Sequence, residues 1–182
     1  MIEIKTSQRY IYVKDLLYDC TDNMSIFLSF EDFCKNISNN KALIGIDLGE
    51  KTIGIAVSDK LLSIASPLKT LKRKKFKENS LELLELINLR EIEGLILGLP
   101  INMDGSEGPR CQSTRAFAYN FSKLTDLSIT FWDERLSTVA AERILLEADT
   151  SRRRRREVID HVAAGYILQG ALDRIKNFKA RK

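Results

Sequence analysis

The residues best suited to chemistry are carboxylates standing where a plain fold has no need of them. Asp47 interrupts the apolar run Leu43-Ile44-Gly45-Ile46-Asp47-Leu48-Gly49, with Gly45 and Gly49 two residues away on the same pleat face. That spacing predicts room for a ligand or a metal; the plainer reading is an Asp that ends a strand by bonding its own turn. Asp133 and Glu134 close a second apolar run and alternate in direction. Only one of them can readily face Asp47, and Arg135 is placed to pair with the other. Asp160 precedes Ala164, Ile167, Ala171 and Ile175 at helical steps, on the line of an apolar stripe. The gain of ~0.3–1 kcal/mol from a helix N-terminus does not by itself account for an acid directed at a core. Brought together and desolvated, Asp47, Glu134 (or Asp133) and Asp160 repel unless a cation neutralises them. The chain has one histidine, His161, and three scattered cysteines, Cys20, Cys34 and Cys111. Neither a His-based acid–base pair nor a zinc site is available. Hard oxygen ligands point to Mg²⁺ or Mn²⁺, and two such ions activate water and stabilise a leaving oxygen in phosphodiester cleavage.

The basic residues fit a polyanionic partner. Of 29 Lys and Arg, 16 fall in three clusters, Lys69 to Lys77, the run Arg152, Arg153, Arg154, Arg155 and Arg156, and Arg174 to Lys182. Clusters of this kind neutralise phosphates, although charge runs also serve as solvated loops and frayed ends. Lys51 adds a cation in the turn after Asp47. The polar segment with Asn102, Asp104, Ser106 and Arg110 opens a helix whose backbone amides can hold a phosphate; Gly105, Gly108 and Pro109 also suit a loop with turn chemistry alone. Trp132 and Tyr119 can stack on bases, but a strand Trp is more often core.

These groups need a rigid frame. A chain of 182 residues, 44% hydrophobic and 30% charged, suits one soluble domain, and its longest apolar run is far short of the ~18 residues of a membrane span. Odd, dispersed cysteines and the absence of an N-terminal targeting pattern, with Glu3, Asp15 and Asp19 among the first residues, point to the cytoplasm. Residues 1–41 read as an N-terminal extension, with a short capped helix where Ser29 precedes Asp32, Phe33 and Ile37. Residues 42–178 form the main domain and 179–182 a basic tail. Strands are predicted at Leu43–Gly49, at Thr52–Val57 and around Leu62–Thr70, then a helix through Leu81, Leu84 and Ile87, and a strand ending at Pro100. A helix through Ala116, Tyr119 and Leu124, a strand Leu127–Trp132, a helix capped by Ser137, the arginine run as connector, and a helix from about Glu157 to Asn177 complete the order. The result is an α/β fold with a mixed five-stranded sheet, its first three strands antiparallel, flanked by helices.

Five ordered motifs make the pattern specific: Gly45-Ile46-Asp47-Leu48-Gly49 with Gly54-Ile55-Ala56-Val57-Ser58-Asp59, Gly98-Leu99-Pro100, Asn102 through Pro109, Trp132-Asp133-Glu134-Arg135-Leu136-Ser137-Thr138, and Ile159-Asp160-His161-Val162-Ala163-Ala164. Over about residues 42–175 the chain resembles the YqgF family, also called RuvX, of pre-16S ribosomal RNA nucleases and Holliday junction resolvase-like proteins. The resemblance implies an RNase H-like (RuvC-like) fold, with Asp47, Glu134 and Asp160 as catalytic metal ligands and the arginine run as the family's basic stretch. It also implies a metal-dependent nuclease of pre-ribosomal RNA, with ribosomal particles as associates. Branched DNA is the alternative substrate, and a non-catalytic nucleic-acid-binding module is the alternative class. Cutting paired strands of a junction calls for a two-fold dimer. Thr52 stands where the family often has Arg, and residues 1–41 have no counterpart in its usual short N-terminus.

Overall fold

The computed structural model describes residues 10–13, 16–19, 25–38, 40–136 and 152–181, with backbone alone for residues before 25 and for 152–161. Strands β1 (Tyr10–Val13) and β2 (Leu16–Asp19) pair antiparallel as a separate hairpin. The main sheet contains β3 (Ile26–Phe27), β4 (Ala42–Leu48), β5 (Thr52–Ser58), β6 (Ala65–Lys72), β7 (Ile92–Leu99) and β8 (Ser128–Asp133) in the order β3-β8-β7-β4-β5-β6. The pairs β4/β5 and β5/β6 are antiparallel, whereas β4/β7, β7/β8 and β3/β8 are parallel. Without β3, this is the mixed five-stranded sheet, its first three strands antiparallel, that the sequence predicts; β3 adds a sixth, two-residue strand at one edge.

Central β4 and β7 are buried almost throughout, as strands covered on both faces must be. Helices α2 (Phe76–Leu89) and α3 (Pro109–Ser122) cover one face, where Ile44, Ile46, Leu95, Leu97 and Ile129 meet Leu83, Ile87, Phe117 and Phe121. The opposite face carries α1 (Phe30–Asn36) and α4 (Arg152–Lys179), packed on Leu43, Ala56, Ile96 and Trp132. Strand β6 is an edge, and its exposed Lys69 and Lys72 belong to the first basic cluster. Edge lysines also discourage pairing with another chain.

Several elements differ from the sequence reading. Helix α2 buries Asn79, Ser80, Leu83 and Ile87 and packs Leu84 partly buried against the core, while Leu81 is exposed, so Leu81 alone of the predicted stripe lies off the inward face. The arginine run is not a connector: Arg152 to Arg156 have helical backbone and open α4. The helix expected after Ser137 falls outside the described residues. Trp132 is core, with its ring edge-on to Phe30 at 5.5 Å and its indole over Gly170.

Part of residues 1–41 is structural. Ser29 caps α1 by accepting from the Asp32 amide at 3.3 Å, as its position predicts. Phe33, fully buried, fills the space that Gly94 leaves on β7, and Arg174 of α4 pairs with Glu31 at 2.7 Å. Phe33→Ala is therefore expected to cost ~3–5 kcal/mol and to lower the melting temperature by roughly 10 °C in a thermal denaturation scan. A shift under about 2 °C would show that the segment does not belong to the core.

Candidate active site at the carboxyl ends of the central strands

Two glycines across the sheet, rather than along the strand, flank Asp47. In β4/β5 pairing Asp47 stands opposite Gly54, and Gly98 follows Leu97, the β7 partner of Ile46, so it occupies the row of Asp47 on the other side. The room at Gly45 has another use. A Cβ there would lie 2.7 Å from Leu168 Cβ and 3.1 Å from the Ala164 carbonyl oxygen, so Gly45 lets α4 lie directly on the sheet rather than leaving a ligand space. Alternation explains the rest, since Asp47 shares the α4-facing side with Gly45 while Leu48 turns to the α2/α3 side.

The acidic pair at the end of β8 divides as alternation requires. Asp133 is gripped by Arg135, whose Nη2 meets Oδ2 at 2.6 Å and whose Nε and backbone amide each meet Oδ1 at 3.0 Å. That grip holds the Asp133 carboxyl below its ordinary range. Glu134, first residue of a 3₁₀ turn (Glu134–Leu136), points instead to the α4 side. A Cβ on Gly98 would stand 2.5 Å from Glu134 Oε1 and 2.5 Å from Ile167 Cδ1, so this carboxylate occupies a slot that only glycine leaves open. Burial, and next the negative charge of Asp47, push Glu134 up to about 7, partly offset by Arg110. The exposed Arg110 at the start of α3 thus faces the acids; one residue on, Cys111 donates its thiol to the Pro100 carbonyl at 2.9 Å and fastens α3 to the end of β7.

Asp160 is the ninth residue of α4, too far from the helix start for the N-terminal charge to explain it. It stands one turn before Ala164, whose carbonyl lies over Gly45, and the stripe after it is buried at Ala164, Ile167, Ala171 and Ile175. Its side chain, like those of Arg152 to Arg156, is outside the described residues. Among the described residues no three acids, histidines or cysteines cluster as a metal site. Asp47 and Glu134 are two oxygen donors whose mutual repulsion suits a hard cation.

The other predicted residues line the same end of the sheet or bond among themselves. Lys51 is exposed in the β4/β5 turn. Asn102 donates to Ser106 Oγ at 2.9 Å, and Ser106 donates its backbone amide and hydroxyl to Asp104 Oδ1 at 2.9 and 2.6 Å. That loop uses Asp104 for turn chemistry, which holds its carboxyl low. Arg73 escaped the sequence reading as an individual residue, although it lies within the first basic cluster: its guanidinium donates to the Gly49 carbonyl and to Ser113 Oγ, tying the end of β4 to α3.

Residues 41–174 match the family model of RuvX, described as Holliday junction resolvase. The chain belongs to the RuvX family. A relative from Ruegeria sp. (strain TM1040), named "Putative pre-16S rRNA nuclease", is 66% identical over 152 residues, covering 84% of this chain and 97% of that one. A relative of the same name from Roseobacter denitrificans is 63% identical, covering 83% and 94%. Among solved structures, Thermus thermophilus RuvC in complex with a Holliday junction substrate is 16% identical with a TM-score of 0.47, covering 78% of this chain and 95% of that chain. The yeast mitochondrial Holliday junction resolvase Ydc2 is 11% identical with a TM-score of 0.44, covering 84% and 89%. This RuvX protein is thus a member of a nuclease family, and no helix among its described residues is long and apolar enough to cross a membrane.

The raised Glu134 has a measurable consequence for stability. Between the ordinary glutamate value of 4.5 and about 7 the folded state holds a proton that the unfolded state has lost, so stability falls as pH rises through that window. Glu134→Gln removes the penalty. In metal-free buffer at pH 8 the variant is expected to be more stable by on the order of 3 kcal/mol, and the difference should vanish below pH 4.5. Melting curves across pH that run parallel for the two proteins would refute the assignment.

Proposed function

We propose that this protein is a metal-dependent nuclease that cleaves phosphodiester bonds of RNA, processing the 5′ end of pre-16S ribosomal RNA in the cytoplasm, alone or on ribosomal particles. The observation that carries the chemistry is the Asp47/Glu134 pair: two carboxylates that interact across Gly98, with burial and then mutual repulsion raising Glu134 to about 7. A structural acid pair gains nothing from that arrangement, whereas a cation binding site does. Asp47, Glu134 and Asp160 are the proposed ligands of Mg²⁺ or Mn²⁺. When bound, such ions supply an activated water and charge stabilisation at the leaving oxygen. Asp47 and Glu134 would hold such an ion from fixed positions at the ends of β4 and β8, and Glu134 would serve as a ligand in its ionised form. Arg135 acts indirectly, by keeping Asp133 turned away from the pair. Arg110, Lys51 and the arginines opening α4 supply positive charge for the RNA backbone.

The substrate rests on the names of relatives matched over nearly their whole length. The family model's description favours a second reading, a resolvase of four-way DNA junctions. Labelled single-stranded RNA spanning a precursor 5′ end, incubated with Mg²⁺, Mn²⁺ or chelator, separates them when a four-way junction is run beside it. RNA cleavage that needs metal and falls more than about 100-fold in Asp47→Asn, with RNA binding retained, is the expected outcome. Symmetric junction cutting without RNA cleavage selects the resolvase, and binding without metal-dependent cleavage of either substrate leaves a binding module.

A further inference from the structure

Behind the acid pair, on the opposite face of the sheet, a cavity of about 190 Å³ opens between the end of β4, the start of α2 and α3. Leu48, the residue after Asp47, lines it, as do Arg73, Lys74, Phe76 and Phe117. We propose that this cavity is a nucleotide subsite that stacks one base of single-stranded RNA on Phe76 and holds the adjoining phosphate on Arg73 and Lys74; it rests on the nuclease reading for its substrate class.

Three features point this way. The volume is below the ~300–1,000 Å³ of drug-sized ligand pockets, which suits one planar ring rather than a whole small-molecule cofactor. Phe76 is 37% exposed although aromatic, and its ring is fixed by a T-shaped contact with Phe117 at 5.6 Å, which in turn stacks on Phe121 at 5.6 Å. A partly exposed phenyl fixed by a T-shaped ring contact offers a preorganised surface to a base, and stacking of this kind accepts any base. The mouth is cationic. Arg73 is anchored by Gly49 and Ser113 with the rest of its guanidinium fork available, and Lys74 makes an exposed pair with Glu82 at 2.9 Å that a phosphate can displace at little cost. Lys72, Lys75 and Lys77 extend the charge along the same segment.

Arg73 also gives the subsite its place in the reaction. Its hydrogen bonds join the turn just beyond Asp47 to α3, three residues after Arg110. An RNA strand crossing the carboxyl ends of β4 and β7 from the acids would pass this anchor and deliver a neighbouring base to Phe76.

The test is binding of a fluorescein-labelled ten-nucleotide single-stranded RNA in chelator, which prevents cleavage, with wild type, Phe76→Leu and Phe76→Tyr. Leucine keeps the apolar contact with Phe117 but loses the stacking face. A drop of roughly 5- to 150-fold for Phe76→Leu, with Phe76→Tyr within about 3-fold of wild type, is expected. RNA carrying 4-thiouridine should also crosslink to the segment around Phe76. Unchanged affinity in Phe76→Leu, or crosslinks confined to other segments, overturns the subsite. The two readings fail separately: metal-dependent cleavage lost in Asp47→Asn beside unchanged Phe76→Leu binding sinks only the subsite. Weakened binding in Phe76→Leu, in a protein with no metal-dependent cleavage, sinks only the nuclease.

Discussion

Two carboxylates that repel each other govern the architecture of one end of this molecule. Asp47 and Glu134 arrive from different strands, β4 and the end of β8, separated in the sheet by β7. The charge of Asp47 acts on Glu134 across Gly98 of β7, where a single methyl group would collide with Glu134 Oε1 and with Ile167. The repulsion is held in place by the core beneath it: Gly45 allows α4 onto the sheet, and Ala164, Ile167 and Leu168 close the site from above. The fold accepts an electrostatic cost at one point, as functional sites do, and offsets it with burial of apolar surface on both sheet faces.

Charge is sorted around that point by hydrogen-bond geometry. Arg135 takes Asp133 out of the site, Arg110 faces Glu134 from α3, and Arg73 secures the turn after Asp47. Cys111 works as a small buried donor in the same corner, and its burial keeps the thiol protonated and inert. The glycine-bearing loop before α3 closes on itself through Asn102, Asp104 and Ser106. That internal bonding turns a polar segment into a defined entry to the helix that carries Arg110.

Much of this was legible from residue order. An acid in an apolar strand and the alternation of Asp133 with Glu134 are local signals with a period of two, and they read directly. So did the Ser29 cap, because an N-cap is satisfied within its own turn. Cross-strand partners have no such local signal. The assignment of empty space to Gly45 failed because the helix that fills it lies more than a hundred residues along the chain, and the roles of Gly54 and Gly98 depend on register between strands. Helix α2 shows the same limit, since its exposed Leu81 and buried Asn79 depend on what lies across from them.

By itself, the sequence determined which acids the site could draw on, with one histidine and no cysteine pair beside them, together with the order of the five main strands, the basic segments and the resemblance to RuvX. Those properties belong to residue types and to neighbours within one turn or one strand, where sterics and short-range periodicity decide. Only the tertiary structure decided that Glu134 rather than Asp133 stands with Asp47, that α1 completes the core, and that Arg73, Phe76 and Phe117 share a cavity behind the acids. Each of these depends on strand register and on helices seated on opposite faces of a sheet. Such contacts are set by close packing over long sequence separations, where burial and shape outweigh any local preference.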